Sequence, residues 1–307
     1  MSNDFKQENS IVLLYSSKPM IDKIQLLTLL MAIIFLPESS LFSQLNPVPS
    51  KEWKLVFADE FSVNGTPDSQ NWTFEQGFVR NNELQWYQAQ NAYCLDGKLV
   101  IEGRREKVKN PYFVLGSKDW RTSREYAGYT SSCIHTKGLH QWQYGRFEIC
   151  ARIDTSLGAW PAIWTLGVEK QWPLNGEIDL MEFYRIGHVP HILANIAWGT
   201  NQQWVAKWNS VRTPFENIAK GDKTWASRFH VWRLDWSAES IDIYLDEVLL
   251  NHSSLSETTN PDGSNPFRQP HYLLLNLAIG ENGGDPASTR FPVKYEIDYV
   301  RVYQKID

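Results

Sequence analysis

Apolar residues recur at every second position in run after run along this chain, and that period of two constrains the fold more than any other feature. Phe229-His230-Val231-Trp232-Arg233-Leu234-Asp235-Trp236, Ser240-Ile241-Asp242-Ile243-Tyr244-Leu245-Asp246 and Tyr295-Glu296-Ile297-Asp298-Tyr299-Val300-Arg301-Val302-Tyr303 all alternate. Successive side chains on a strand point to opposite faces, so such runs bury one face and wet the other. Shorter apolar-rich runs, Lys98-Leu99-Val100-Ile101-Glu102 among them, are separated by Gly, Pro, Asn and Asp. Long amphipathic helical spacing is absent. Residues 273–279 (Leu-Leu-Leu-Asn-Leu-Ala-Ile) are apolar nearly throughout, as suits a central strand covered on both faces. The expectation is an all-β chain, a sandwich of two antiparallel sheets. No linker, low-complexity tract or repeat interrupts residues 53–307, so these are expected to form a single domain.

The N-terminus reads differently. Residues 24–36 form an apolar run preceded by Lys23 and followed by Ser39-Ser40-Leu41-Phe42-Ser43. The run is too short to span a bilayer and has the size of a signal-peptide core. Residues 1–43 are therefore expected to be a signal-peptide region cleaved after Ser43, and residues 44–52 a linker around Asn46-Pro47-Val48-Pro49-Ser50. Met20-Ile21-Asp22-Lys23 makes an ordinary start for such a signal, so translation is expected to begin at Met20. The protein is expected to be secreted or periplasmic, with no membrane association after cleavage. Its three cysteines, Cys94, Cys133 and Cys150, leave at least one thiol free. Their wide spacing argues against a zinc site.

Net charge is −5 and no Lys/Arg block occurs, which speaks against a nucleic-acid partner. Trp is as frequent as Phe, at 14 each, which fits either a β-rich core or a cleft that stacks sugar rings on flat apolar faces.

The segment with most chemistry is Gly176-Glu177-Ile178-Asp179-Leu180-Met181-Glu182-Phe183. Three acids stand among large apolar residues, where an unpaired buried charge is costly. On a helix Glu177 and Glu182 would lie about 140° apart, on no common face. On a strand Glu177 and Asp179 share a face, and one extra residue at Leu180-Met181, a β-bulge, brings Glu182 to it. The glutamates are then about 13 Å apart along the strand. Inward lean leaves about 5–6 Å between carboxyls, the separation of retaining rather than inverting glycosidases. In that reading Glu177 is the nucleophile, Glu182 the acid/base with a raised pKa, and Asp179 orients Glu177 and shares its proton. The alternatives are a surface strand with scattered acids, or a calcium site.

These residues resemble the Glu-x-Asp-x-x-Glu signature of glycoside hydrolase family 16, in the bulge-containing form of laminarinase-type members. Further landmarks fall in that family's order: Phe57-Ala58-Asp59-Glu60-Phe61, Asn81-Asn82-Glu83-Leu84-Gln85-Trp86-Tyr87, Tyr144-Gly145-Arg146-Phe147-Glu148, Gly158-Ala159-Trp160-Pro161-Ala162-Ile163-Trp164 and Asp298-Tyr299-Val300-Arg301-Val302-Tyr303. The resemblance implies a concanavalin-like jelly-roll sandwich with a substrate cleft on one sheet. It places Trp160 and Trp164 along the cleft, Asn81 against a sugar hydroxyl, and Trp198 in substrate binding. It implies no cofactor for catalysis, and a structural calcium at Glu60, Gly97 and Asp298.

One departure bears on substrate. Where laminarinase-type members carry a histidine on the next strand, this chain has Ala197, in Leu193-Ala194-Asn195-Ile196-Ala197-Trp198-Gly199. Trp204 and Trp208 follow, and suggest an altered positive subsite. The expected activity is endo-hydrolysis of β-1,3- or mixed-linkage β-1,3-1,4-glucan by a monomer whose partner is a polysaccharide or oligosaccharide. An endo-β-galactosidase is the alternative. A non-catalytic carbohydrate-binding protein is the competing class.

Overall fold

The computed structural model describes residues 52–306. The expected signal peptide and all but the last residue of the expected linker lie outside the described residues. The strands are β1 (Trp53–Asp59), β2 (Thr73–Phe74), β3 (Gln85–Tyr87), β4 (Ala92–Leu95), β5 (Lys98–Gly103), β6 (Val108–Lys109), β7 (Tyr126–Ala127), β8 (Tyr129–Ser131), β9 (Cys133–His135), β10 (Gly145–Arg152), β11 (Ala159–Gly167), β12 (Glu177–Ile186), β13 (Val189–Gly199), β14 (Ala206–Pro214), β15 (His230–Trp236), β16 (Ser240–Leu245), β17 (Val248–Ser254), β18 (His271–Ile279) and β19 (Val293–Lys305). They build two large antiparallel sheets. One has the order β17-β16-β15-β10-β19-β5-β4, with β1 also on β19; the other is β14-β13-β12-β11-β18-β9-β2. A short parallel ribbon, β3 with β8, and a second pair, β6 with β7, flank them. The molecule is a jelly-roll sandwich, as the alternating runs predict.

Alternation decides what lies between the sheets. From the first sheet Phe147, Ile149, Trp232, Leu234, Ile241 and Ile243 point inward; Ile178, Phe183, Ile192, Ala194 and Ile196 meet them from the second. The nearly continuous apolar run of β18 is explained by burial on both faces. Leu273, Leu275, Leu277 and Ile279 join the inter-sheet core. Tyr272 and Leu274 instead pack with Tyr87, Cys133, Ala162 and Trp164 on the outer face of the same sheet. That second layer floors the cleft described below. Cys94, Cys133 and Cys150 are all free and buried, each acting as a small apolar residue.

Candidate active site

Strand β12 starts at a forced turn. Gly176 has φ +77°, and a Cβ there would lie 2.8 Å from Pro266 Cβ, so only glycine fits. The strand then pairs with β13 through Glu177↔Ala197, Ile178↔Ile196 and Asp179↔Asn195, and resumes at Glu182↔Leu193. On the other side Asp179 faces Trp164, Met181 faces Ile163 and Glu182 faces Ala162. The register shift is the expected bulge at Leu180-Met181. Both bulge side chains enter the inter-sheet core, which leaves Glu177, Asp179 and Glu182 on the outer face.

The three acids, with Trp160, Trp164, Asn81, Arg80, Glu83, Ala162 and Asn276, line one cleft. Trp172, from the loop before β12, donates its indole N–H to Glu177 Oε2. Asp179 hydrogen-bonds Glu177. The Asn195 amide bridges the set, with Nδ2 donating to Asp179 Oδ2 at 3.2 Å and to Glu182 Oε2 at 2.9 Å. Trp160 Nε1 donates to Glu182 Oε1 at 3.0 Å. Burial and the charges of both glutamates hold the Asp179 pKa well above the carboxylate range. The shift favours the protonated form of Asp179, which donates toward Glu177. Burial also raises Glu177, but the hydrogen bonds from Asp179 and Trp172 and the charge of Arg80 oppose the rise. Glu182 is pushed up to about 7 by burial first and the Glu177 charge second. Both glutamates are raised, but their surroundings differ: Asp179, Trp172 and Arg80 counter the rise at Glu177, whereas the Glu177 charge adds to the rise at Glu182.

The remaining residues singled out by sequence fall in three groups. Trp160 and Trp164 stand on the cleft face, where Trp164 Nε1 donates to Asn276 Oδ1 at 2.7 Å. The Arg80 guanidinium sits 5.0 Å above the Trp164 ring. Asn81 is on the rim loop with φ +53°, its Nδ2 donating to Glu83 Oε1 at 3.3 Å. Trp198 is a correction. Its cross-strand neighbour parity is opposite to that of Ala197, which faces Glu177, so the indole enters the inter-sheet core with Ile192, Ala194 and Ile196. Replacing Trp198 by Ala is expected to cost about 3–5 kcal/mol of stability, measured by urea unfolding, with KM of the folded fraction unchanged. A raised KM at unchanged stability would return Trp198 to the cleft.

The expected calcium positions belong to the other sheet: Glu60 follows β1, Gly97 lies between β4 and β5, and Asp298 is on β19. Both Glu60 oxygens are engaged by Arg301, at 2.8 and 2.9 Å. Asp298 is raised by burial and by the charge of Glu60, and Gly97 contributes only main chain. Calcium takes six to eight oxygens, so at these positions Asp298 is the one carboxylate left to serve, with main-chain carbonyls making up the rest. Among the described residues no three His, Cys, Asp or Glu side chains gather as a metal cage.

Sequence reading did not assign Arg80, Trp172, Asn195 or Asn276 to the site, and it quoted Glu83 without a role. Asn195 was within reach. Counting back from the Gly187-His188 turn with one bulge residue removed sets it opposite Asp179. Glu83 is buried, with its pKa raised by that burial, and it anchors Asn81. Arg80 and Asn276 come to the cleft from distant elements, and no local pattern reveals them.

A jelly-roll sandwich with a trio of hydrogen-bonded acids in a tryptophan-lined cleft is the architecture of a carbohydrate-active β-sandwich. The chain belongs to glycosyl hydrolases family 16, whose model matches residues 114–301. It is similar to a β-glucanase of Rhodothermus marinus, 34% identical over 281 residues, which cover 83% of this chain and 86% of that protein. Among solved structures it is similar to SCLam, a non-specific endo-β-1,3(4)-glucanase, with 35% identity, TM-score 0.67 and coverage of 84% of this chain and 93% of that one. It is also similar to a structure from work on endo-acting O-glycanases with which prominent members of the human gut microbiota initiate mucin breakdown. There identity is 32%, the TM-score 0.75, and coverage 84% and 92%.

Proposed function

We propose that the protein is an exported, monomeric, retaining endo-β-glycosidase that cleaves β-1,3- or mixed-linkage β-1,3-1,4-glucan by double displacement. The observation that carries this reading is the hydrogen-bonded trio on one cleft face, in which Asp179, Trp172 and Arg80 counter the rise of Glu177 while Glu182 is pushed up to about 7. Glu177 attacks the anomeric carbon while Glu182 gives its proton to the glycosidic oxygen, so the sugar–oxygen bond breaks as the sugar–carboxylate bond forms. Glu182, now a carboxylate, takes a proton from water as that water displaces Glu177. Asp179 holds its own proton on Glu177 and releases part of that hydrogen bond as the ester forms. The glucanase relatives support the substrate class.

A second reading, an endo-β-galactosidase, is favoured by Ala197, which stands directly across from Glu177 where laminarinase-type members carry histidine. The resemblance to the O-glycanase structure points the same way. Reducing-end release from laminarin, lichenan, an agar-type galactan and polylactosamine separates the two. Cleavage of laminarin or lichenan, with the new anomeric centre β by proton NMR, is expected. Cleavage confined to the galactan or polylactosamine transfers the assignment to the second reading. Initial release of the α-anomer would overturn double displacement.

A further inference from the structure

We propose that Trp208 is the platform of a distal sugar subsite, reached by glycan leaving the catalytic cleft on the β13–β14 side; this rests on the glycosidase reading above. The register carries the argument. Glu177 pairs with Ala197 on β13, and Ala197 pairs with Trp208 on β14. Directly paired residues share a face, so Glu177, Ala197 and Trp208 form one row on the cleft side of the sheet. Neighbouring strands are about 4.8 Å apart, which sets Trp208 about 9.5 Å from Glu177 across the sheet. That is the span of a short oligosaccharide, in the direction away from Asn81 and Trp164.

Exposure separates this tryptophan from the others on the sheet. Trp160, Trp164 and Trp198 are 7%, 8% and 4% exposed, whereas Trp208 is 44% exposed. Trp204 and Val205, in the turn that precedes β14, are exposed too. A solvated aromatic on a sheet face does nothing for the core, and it leaves a flat apolar ring open to a ligand. Its neighbours on the cleft face of β14 are Ser210 and Arg212, paired with Asn195 and Leu193. The face therefore offers a flat apolar ring flanked by donors, the surface a pyranose uses by stacking its C–H face and hydrogen-bonding its rim. The continuity of the row with Glu177 selects a glycan rather than a protein or lipid as occupant. Ala197 between them carries only a methyl group, so its own side chain raises no barrier between Glu177 and the platform.

The test compares wild type, Trp208→Ala and Trp208→Phe on the best-cleaved polymer of the panel and on a short aryl β-glycoside whose nitrophenol leaving group cannot reach β14. Trp208→Ala is expected to raise KM for the polymer by about 10-fold, the scale of one aromatic contact. The change should leave kcat nearly unaltered, as for uniform binding, and spare the aryl glycoside. Trp208→Phe should recover most of the loss. Equal KM for polymer in wild type and Trp208→Ala, or an equal loss on both substrates, would overturn the subsite. Failure of the glycosidase reading is visible separately, as wild type that turns over neither substrate. In that case retardation in gels containing the panel polysaccharides still decides: retardation lost in Trp208→Ala sustains the platform, and unchanged mobility relative to wild type overturns it.

Discussion

Glu177→Ser is expected to lower kcat by about 10⁴-fold or more, the scale seen when a nucleophile is removed from a catalytic unit. The serine oxygen is too short to reach the anomeric carbon, and Asp179 loses the carboxylate that receives its proton. Activity should return in part with azide, a small anion that fits the vacated space. The product then reports the role. Azide entering where Glu177 stood attacks the face opposite the leaving group and gives the α-glycosyl azide, because one displacement inverts. In a Glu182 variant with an activated leaving group, the Glu177 ester still forms and azide displaces it from the other face, giving the β-azide. The two carboxylates are thus distinguished by one stereochemical measurement. A Glu177→Ser preparation, free of contaminating enzyme, that cleaved glycan normally would remove Glu177 from the mechanism. A β-azide from the same variant would exchange the roles of the two glutamates.

Much of this geometry was legible in the order of residues. The alternating runs demanded a sandwich, and the wrong parity of Glu182 demanded a bulge, because only an inserted residue carries a side chain across a pleated strand. The structure adds that Leu180 and Met181 both enter the core, so burial of two large apolar side chains stabilises the irregularity. Parity also decides Trp198: if Ala197 faces Glu177, its neighbour must face the core. What sequence could not supply is the long-range part. Asn276 comes from β18 and Arg80 from the loop between β2 and β3, yet both line the cleft with β12. Trp172 is only five positions before Glu177, but its indole reaches back through a turn that no periodicity describes.

The pH profile is the second large expected effect. Glu182, raised to about 7, must be protonated to assist departure of the leaving group, so kcat/KM on polymer should fall as pH rises through about 7. The acid limb should belong to Glu177, whose pKa is also raised and whose protonation removes the nucleophile. In Glu182→Gln the alkaline limb should vanish on an aryl glycoside with an activated leaving group, and polymer turnover should collapse. The substitution should move stability the opposite way to activity. A carboxyl whose folded pKa is raised contributes stability below its unfolded value, near 4.5, and that contribution is lost as pH rises through the folded value. Glu182→Gln removes a buried charge from beside Glu177 and Asp179. The variant should therefore melt above wild type at pH 8, and the gap should close as pH falls toward 4.5. An alkaline limb that survived the substitution, or a melting gap that widened toward acid, would show that Glu182 is not the titrating acid. A variant that lost activity and gained neutral-pH stability together would show what the fold bears to keep three carboxyls on one strand, held close and buried on a cleft face whose geometry alternation and one bulge fix in place.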